Sequence, residues 1–278
     1  MTPPAAPLAE ISEAEATGSI AALYADIRAT IAVPMVNLVF RNMATVPGCL
    51  AWAWAHLQPL YAAGLIESAA ERLFKDPGLG GGLAMTADVV VATGASVDGV
   101  AAVGRAYARA NPMNLIGLIV LRLLLDQSVA GQSERPRAVH APAQRPPRPD
   151  PQLPPMVNLS AAPAEVRHRL DLLARQLHQG DNGVIPSLYR HFGHWPKLLD
   201  FLQDRIGLAI DTGDLFAAAH RLERAAEIEA KPIYLRCLVV DLPPPDAATA
   251  AGLRRLIATF PTNICRMTMI ARALARLA

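Results

Sequence analysis

Ser187, His191 and His194 fall on one short stretch, IPSLYRHFGHWP (185–196). Two histidines three apart share one face of a helix, a spacing that a metal site can use. No HExxH pattern surrounds them and no nearby Cys or carboxylate completes a ligand set, so a structural or surface role is expected for both, with no metal and no cofactor. As replacement general bases the stretch offers His191, His194 and, just upstream, Asp181. Solvated surface roles are the more ordinary reading of each. Elsewhere, PGLGGGL (77–83) has neither a clear preceding strand nor the spacing of a phosphate-binding fingerprint, so it reads as an interhelical loop. No GxSxG elbow occurs. Cys49, Cys237 and Cys265 are odd in number, far apart and in apolar contexts, which predicts buried free thiols and a reducing cytoplasm.

The elements that must position these residues occur twice. VNLVFRNMATVP (36–47) follows the same scheme as IPSLYRHFGHWP: apolar, aromatic-Arg, a polar pair, then Pro. An offset of 149 aligns Val36–Pro112 with Ile185–Pro261 without a gap. It pairs Arg41 with Arg190, Pro47 with Pro196, Gly64 with Gly213, Arg72 with Arg221, Arg105 with Arg254 and Pro112 with Pro261, and just beyond, Asn114 with Asn263. Upstream the offset becomes 146, and Ile20, Tyr24, Ile27 and Ile31 fall on Val166, Leu170, Leu173 and Leu177. Such a period is too long for a solenoid and predicts two similar halves about a pseudo-two-fold axis. The expected units are 1–127 and 156–278, joined by a linker over 128–155. That linker holds eight of the chain's 24 prolines and almost no large apolar residue, so it reads as extended or disordered.

Each half reads as helices. Ile20, Leu23, Tyr24, Ile27 and Ile31 keep helical spacing. Pro47 and Pro196 suit the first turn of a following helix, and Gly64 and Gly213 its C-cap. Residues 97–109 read as one amphipathic helix. Asn111-Pro112 then reads as the cap and first turn of another over 113–126, echoed by Pro261 to Leu277. The run ADVVVATGAS (87–96) has strand-like β-branched content, but its surroundings favour helix. Trp52, Trp54 and Trp195 are expected in the core. The resulting fold class is an all-α, internally duplicated pseudo-dimer.

Charge and hydropathy exclude some functions. A net charge of +2 gives no basic footprint for nucleic acid. The chain is 52% hydrophobic, yet its best apolar run, NLIGLIVLRLLLDQ (114–127), is broken by Arg122 and short of the ~20 residues that a span needs. The start, MTPPAAPLAEISEAEA, is acidic and Pro-rich, unlike a signal peptide. A cytoplasmic protein without membrane contact is expected.

Symmetric segments ahead of paired helices can converge on a cavity, and clefts between domains are common ligand sites. VPMVNL (33–38) and VIPSL (184–188) are those segments. The expected lining is Met35, Leu38, Asn111, Ser187 and Leu188, with Val39 the mate of Leu188. Asn111, whose mate is Phe260, is either the polar anchor for a small molecule or merely a helix cap.

The blocks GSIAALYADIRATIAVPMVNLVFRNMATVPGCLAWAW (18–54), ANPMNLIGLIVL (110–121) and PSLYRHFGHWPKLLDFL (186–202) resemble the group I 2-haloacid dehalogenases, the halocarboxylic acid dehydrogenase DehI family. The likeness covers most of the chain. It implies an all-α pseudo-dimer with its site between the halves, where a water activated by an Asp displaces the halide with inversion, without metal or covalent ester. Ser187 and Asn111 match the family pattern. The Asp, seven residues before the Trp of the WP pair, is Leu188 here. Met35 and Leu38 stand for the family's Trp and Phe, and His194 for the Asn of its NWP. The scaffold is kept and the base is lost. The chain is also similar to the aziridine-forming proteins of azinomycin-type biosynthesis, in which the substrate's own amine is the nucleophile. Three readings follow: displacement by a substrate-borne nucleophile, hydrolysis with a replacement base, and a non-catalytic binding or partner subunit.

Overall fold

The structure is a computed structural model that describes residues 8–74, 83, 85–130, 152–178, 184–235 and 245–277. All regular structure among the described residues is helical. The first part of the chain forms α1 (Gly18–Ile31), α2 (Leu38–Met43), α3 (Cys49–Ala62), α4 (Leu65–Leu73), α5 (Ala87–Ala92) and α6 (Val97–Ala130). The second forms α7 (Ala164–His178), α8 (Ser187–His191), α9 (Pro196–Asp211), α10 (Asp214–Tyr234) and α11 (Ala247–Ala275). The core is built on α6, α10 and α11, which pack extensively on one another, with α4 against α6 and α10. α1 lies on α3, and α7 on α9. The short helices cross over: α2 packs on α11, while α8 packs on α6.

Corresponding elements keep the sequence offset. α3 and α9 end at Ala62 and Asp211, 149 apart, and α4 and α10 begin at Leu65 and Asp214, again 149 apart. Between each pair sits a glycine with left-handed backbone, Gly64 at φ +67° and Gly213 at φ +77°. Each gives its N–H to a carbonyl of the helix just ended, that of Tyr61 or Ile210, and ends one helix while starting the next. α5 resolves the strand-or-helix ambiguity of 87–96 in favour of helix. Trp54 is buried, and its indole N–H donates to Asp26 at 2.7 Å.

Four expectations need correction. Asn111-Pro112 does not start a helix; both residues lie inside α6, which runs unbroken from Val97 through Pro112. Pro261 likewise lies inside α11. An internal proline costs a helix about 3 kcal/mol, but from Val100 to Leu121 α6 is buried at most positions, so packing outweighs the lost backbone bond. Second, the apolar run is longer than it read: Val97–Asp126 is long and apolar enough to cross a membrane, and 72% of its most apolar window is buried in the fold, as in a core helix. Third, Pro196 opens α9, but Pro47 stands two residues ahead of α3, whose N-cap is left-handed Gly48 at φ +75°. Fourth, the ends of the 128–155 segment are ordered: α6 continues to Ala130, and Pro154 and the adjoining Val157 bond to His191 and Arg190 of α8. Residues 131–151, like Cys237 and Asp181, lie outside the described residues. Cys49 and Cys265 are free and buried, and burial pushes the Cys49 thiol up to about 11.

Helix α6 lies tightly against the end of α11 at Gly104, where an added Cβ would stand 2.5 Å from the backbone N of Ala275 and 2.7 Å from the carbonyl carbon of Leu274. Gly104→Ala is therefore expected to lower stability by about 1–3 kcal/mol, despite a helix-propensity gain of about 1 kcal/mol. Urea unfolding of wild type and variant measures the difference.

Candidate functional site

A cavity of about 60 Å³ lies where the N-terminal ends of α2 and α8 meet the middles of α6 and α11. At about 10–15 Å³ per water, it has room for a very small organic molecule. Its lining draws on matching positions 149 apart: Asn37 with Pro186, Leu38 with Ser187, Val39 with Leu188, Asn111 with Phe260, and Asn114 with Asn263. Tyr107, His178, Val184, Ile264 and Met267 complete it.

Of the residues expected from sequence, Leu38, Asn111, Ser187 and Leu188 line this cavity. Met35 and His194 do not. Met35 is buried beside a separate groove formed with Glu13, His191 and residues 152–156. His194 is exposed, and its ring Nε2 meets Pro155 O at 2.8 Å. His191 is buried with its Nδ1–H donated to Pro154 O, so the two histidines hold the 152–158 segment rather than a ligand. Among the described residues no group of three His, Cys, Asp or Glu side chains could hold a metal ion.

The polar groups on the cavity wall are mostly donors. Asn111 Oδ1 accepts from Asn37 Nδ2 at 3.4 Å, which leaves the Asn111 amide N–H groups for a ligand. The Tyr61 hydroxyl points between Met113 O at 3.2 Å and Asn114 Oδ1 at 3.4 Å, which leaves the Asn114 amide nitrogen for a ligand. Tyr107 is 4% exposed; its buried hydroxyl interacts with the Ser187 side chain without a close hydrogen bond, and burial pushes its ionisation well above the ordinary range. Ser187 Oγ accepts from Arg41 Nη2 at 2.8 Å. A guanidinium only donates, so the Ser187 proton is left for the neighbouring Tyr107 hydroxyl or for a ligand.

Arg41 is anchored behind this wall. Its Nη1 donates to Val36 O at 2.7 Å and its Nε to Glu10 Oε2 at 2.8 Å. The other oxygen of Glu10 takes Arg190 Nη1 at 2.6 Å. One carboxylate thus bridges the two arginines that match at offset 149, with side-chain exposures of 1% for Arg41, 20% for Glu10 and 11% for Arg190. Burial raises the Glu10 carboxyl, but the charges and hydrogen bonds of Arg41 and Arg190 outweigh it and hold the group below its ordinary range. The backbone repeats the scheme. Ile11 N–H donates to Arg41 O at 3.1 Å, and Val157 N–H, 146 residues on, donates to Arg190 O at 3.0 Å.

Sequence reasoning missed Tyr107, His178 and Asn37. The Asn114–Asn263 match at offset 149 was a signal for two further wall residues. Tyr107 and His178 carry no motif, because a single polar residue on an apolar helix is defined only by what the tertiary fold sets beside it.

No family model matches the chain. A configuration-inverting 2-haloacid dehalogenase from Alcaligenes xylosoxydans xylosoxydans is 28% identical over 227 residues, covering 79% of this chain and 75% of the relative. A D-2-haloacid dehalogenase mutant superposes with a TM-score of 0.76 at 20% identity, over 98% of this chain and 96% of that one. A D-2-haloacid dehalogenase in complex with L-LA superposes at 0.74 and 19% identity, over 98% and 96%. The chain has the fold of the D-2-haloacid dehalogenases. Within this dehalogenase fold the position of the expected base, Leu188, is 1% exposed, and its side chain is part of an apolar wall.

Two expected outcomes follow. Glu10→Gln leaves two buried guanidiniums without their shared anion, and removing one member of such a buried pair costs about 3–5 kcal/mol. The 20% exposure of Glu10 argues for the lower end, measured by urea unfolding at pH 7. Burial holds the His191 imidazole down at about 4, with Arg41, Arg190 and His194 adding to the effect and the Pro154 bond opposing it. A folded value below the ordinary one means that the unfolded chain binds the proton more readily between those limits. Stability from the neutral ring is therefore complete above about pH 6.5 and lost as pH falls to about 4, up to about 3 kcal/mol. Unfolding from pH 7 to 4 should show wild type losing more stability than His191→Asn.

Proposed function

We propose that this chain binds a small carboxylate in the cavity and displaces a leaving group from its saturated carbon, with the nucleophile carried by the substrate itself. Leu188 is the observation that carries the reading. It occupies the position of the base in the resembling dehalogenases, and no Asp or Glu stands among the described lining residues. Support for displacement chemistry comes from the similarity to a configuration-inverting 2-haloacid dehalogenase. Amide and hydroxyl donors on an uncharged wall suit a carboxylate and a departing halide.

A water route would need another base, and the described candidates serve poorly. The ring nitrogens of His178 both face oxygen acceptors, Asn263 Oδ1 and Val184 O, so neither presents a free lone pair to a water. His191 lies outside the lining. Ring closure by a neighbouring amine avoids this need: the amine lone pair forms the C–N bond, the C–halogen bond breaks with its pair leaving on halide, and the extra proton passes to solvent. Positioning alone lowers the barrier of the best intramolecular reactions by about 7–11 kcal/mol.

The same reading takes residues 1–127 and 156–278 as copies of one unit. The shared helix boundaries, the Gly64–Gly213 pair and the two strapped arginines support that reading. A reducing cytoplasm suits the free thiols of Cys49 and Cys265.

The test compares chloride release, with mass analysis, from 2-chloropropionate and 3-amino-2-chloropropionate. The expected result is loss of hydrogen chloride from the amino acid with little hydrolysis of the simple haloacid. Rapid hydrolysis of both would overturn the reading. Leu188→Asp should then raise 2-chloropropionate hydrolysis by about 10²–10⁴-fold, the ordinary contribution of a general base.

A further inference from the structure

His178, at the end of α7, lines the cavity but takes no part in the displacement. Its Nδ1 lies 2.7 Å from Asn263 Oδ1 and its Nε2 lies 2.9 Å from Val184 O. Asn263 is held in this orientation, because its own nitrogen donates to Thr259 O at 3.1 Å. Both partners are therefore acceptors. A neutral imidazole can donate to only one of them, whereas an imidazolium donates to both. The surroundings are built for the charged ring.

Opposing influences act on that charge. Desolvation is the largest and holds the ring's proton affinity below the ordinary range, the bonds to Val184 and Asn263 favour the proton, and Arg266 of α11 repels it. Arg266 is the charged group that acts on the ring from a helix packed on α7, and its Nη1 donates to Leu177 O next door. Tyr107 of α6 is the other titratable group on the cavity wall, and it stays neutral. No carboxylate among the described lining residues offsets the ring. An anion brought into this largely apolar pocket supplies the missing opposite charge, and charges interact more strongly there than in bulk water.

We propose that His178 is a proton-coupled anion-binding group: entry of a small carboxylate draws a proton onto the ring, and the resulting imidazolium holds the anion. This rests on the reading that the cavity takes a carboxylate. It assigns His178 the role of a positioning residue that acts by charge, since both of its N–H groups are engaged by the wall.

Propionate, which has no leaving group, is the probe. Its binding is measured by calorimetry at pH 7 in PIPES and in Tris, whose ionisation heats differ, and the histidine C–H resonances of the wild type are followed against pH with and without propionate. The expected result is proton uptake on binding and a rise in one histidine pKa of about one unit or more, a tenfold change in proton affinity. His178→Gln should remove both the uptake and that resonance, and bind propionate about tenfold more weakly. Propionate binding without buffer dependence, or uptake retained in His178→Gln, overturns the assignment while leaving the carboxylate reading intact. Failure of the wild type to bind propionate at all overturns both. The wild-type resonances decide the matter even if the variant does not fold.

Discussion

Glu10 holds two guanidiniums that belong to matching helices, Arg41 of α2 and Arg190 of α8. Without that carboxylate, burying the two arginines beside each other would cost several kcal/mol. Through Arg41 the bridge reaches the cavity, because the same guanidinium holds Val36 O at the entry to α2 and Ser187 Oγ at the start of α8. Through Arg190 it reaches Val157 O and the segment that follows the linker. The walls of the site from both parts of the chain thus hang on one carboxylate near the N-terminus.

The cavity carries the mark of this arrangement. Its lining comes in matching pairs, yet the members differ chemically: Asn111 faces Phe260 in the pairing, and Leu38 faces Ser187. The site is therefore asymmetric, with the Asn111 and Asn114 amides on α6 and the apolar Phe260, Ile264 and Met267 on α11. Leu188 contributes one more apolar group to the wall. Among the described lining residues the pocket offers amide and hydroxyl groups and no carboxylate.

Much of the frame was legible in the sequence, for physical reasons. Gly64 and Gly213 marked turns because only a left-handed residue joins two helices so abruptly. Arg41 and Arg190 stood out as charged residues repeated in otherwise apolar stretches. Leu38, Asn111, Ser187 and Leu188 could be placed at one cavity because the offset brought their segments together. The continuity of α6 through Pro112 was not legible, since local propensity argues for a break and only burial by α10 and α11 overrides it. Glu10 was equally hidden: an acidic residue in a Pro-rich leader acquires meaning only when the fold lays it across two arginines. Met35, expected from its place in the segment ahead of α2, and His194, expected through resemblance, instead lie against residues 152–156, Met35 in a separate groove and His194 on Pro155 O.

The most direct measurement is a crystal structure of the protein with 2-chloropropionate at saturating concentration. The account predicts the ligand between α2, α8, α6 and α11, its carboxylate within hydrogen-bond distance of the Asn111 amide or the Ser187 hydroxyl, and its halogen-bearing carbon against Leu188. A ligand seated instead in the groove beside Met35, His191 and Pro154, with the cavity empty, would contradict it.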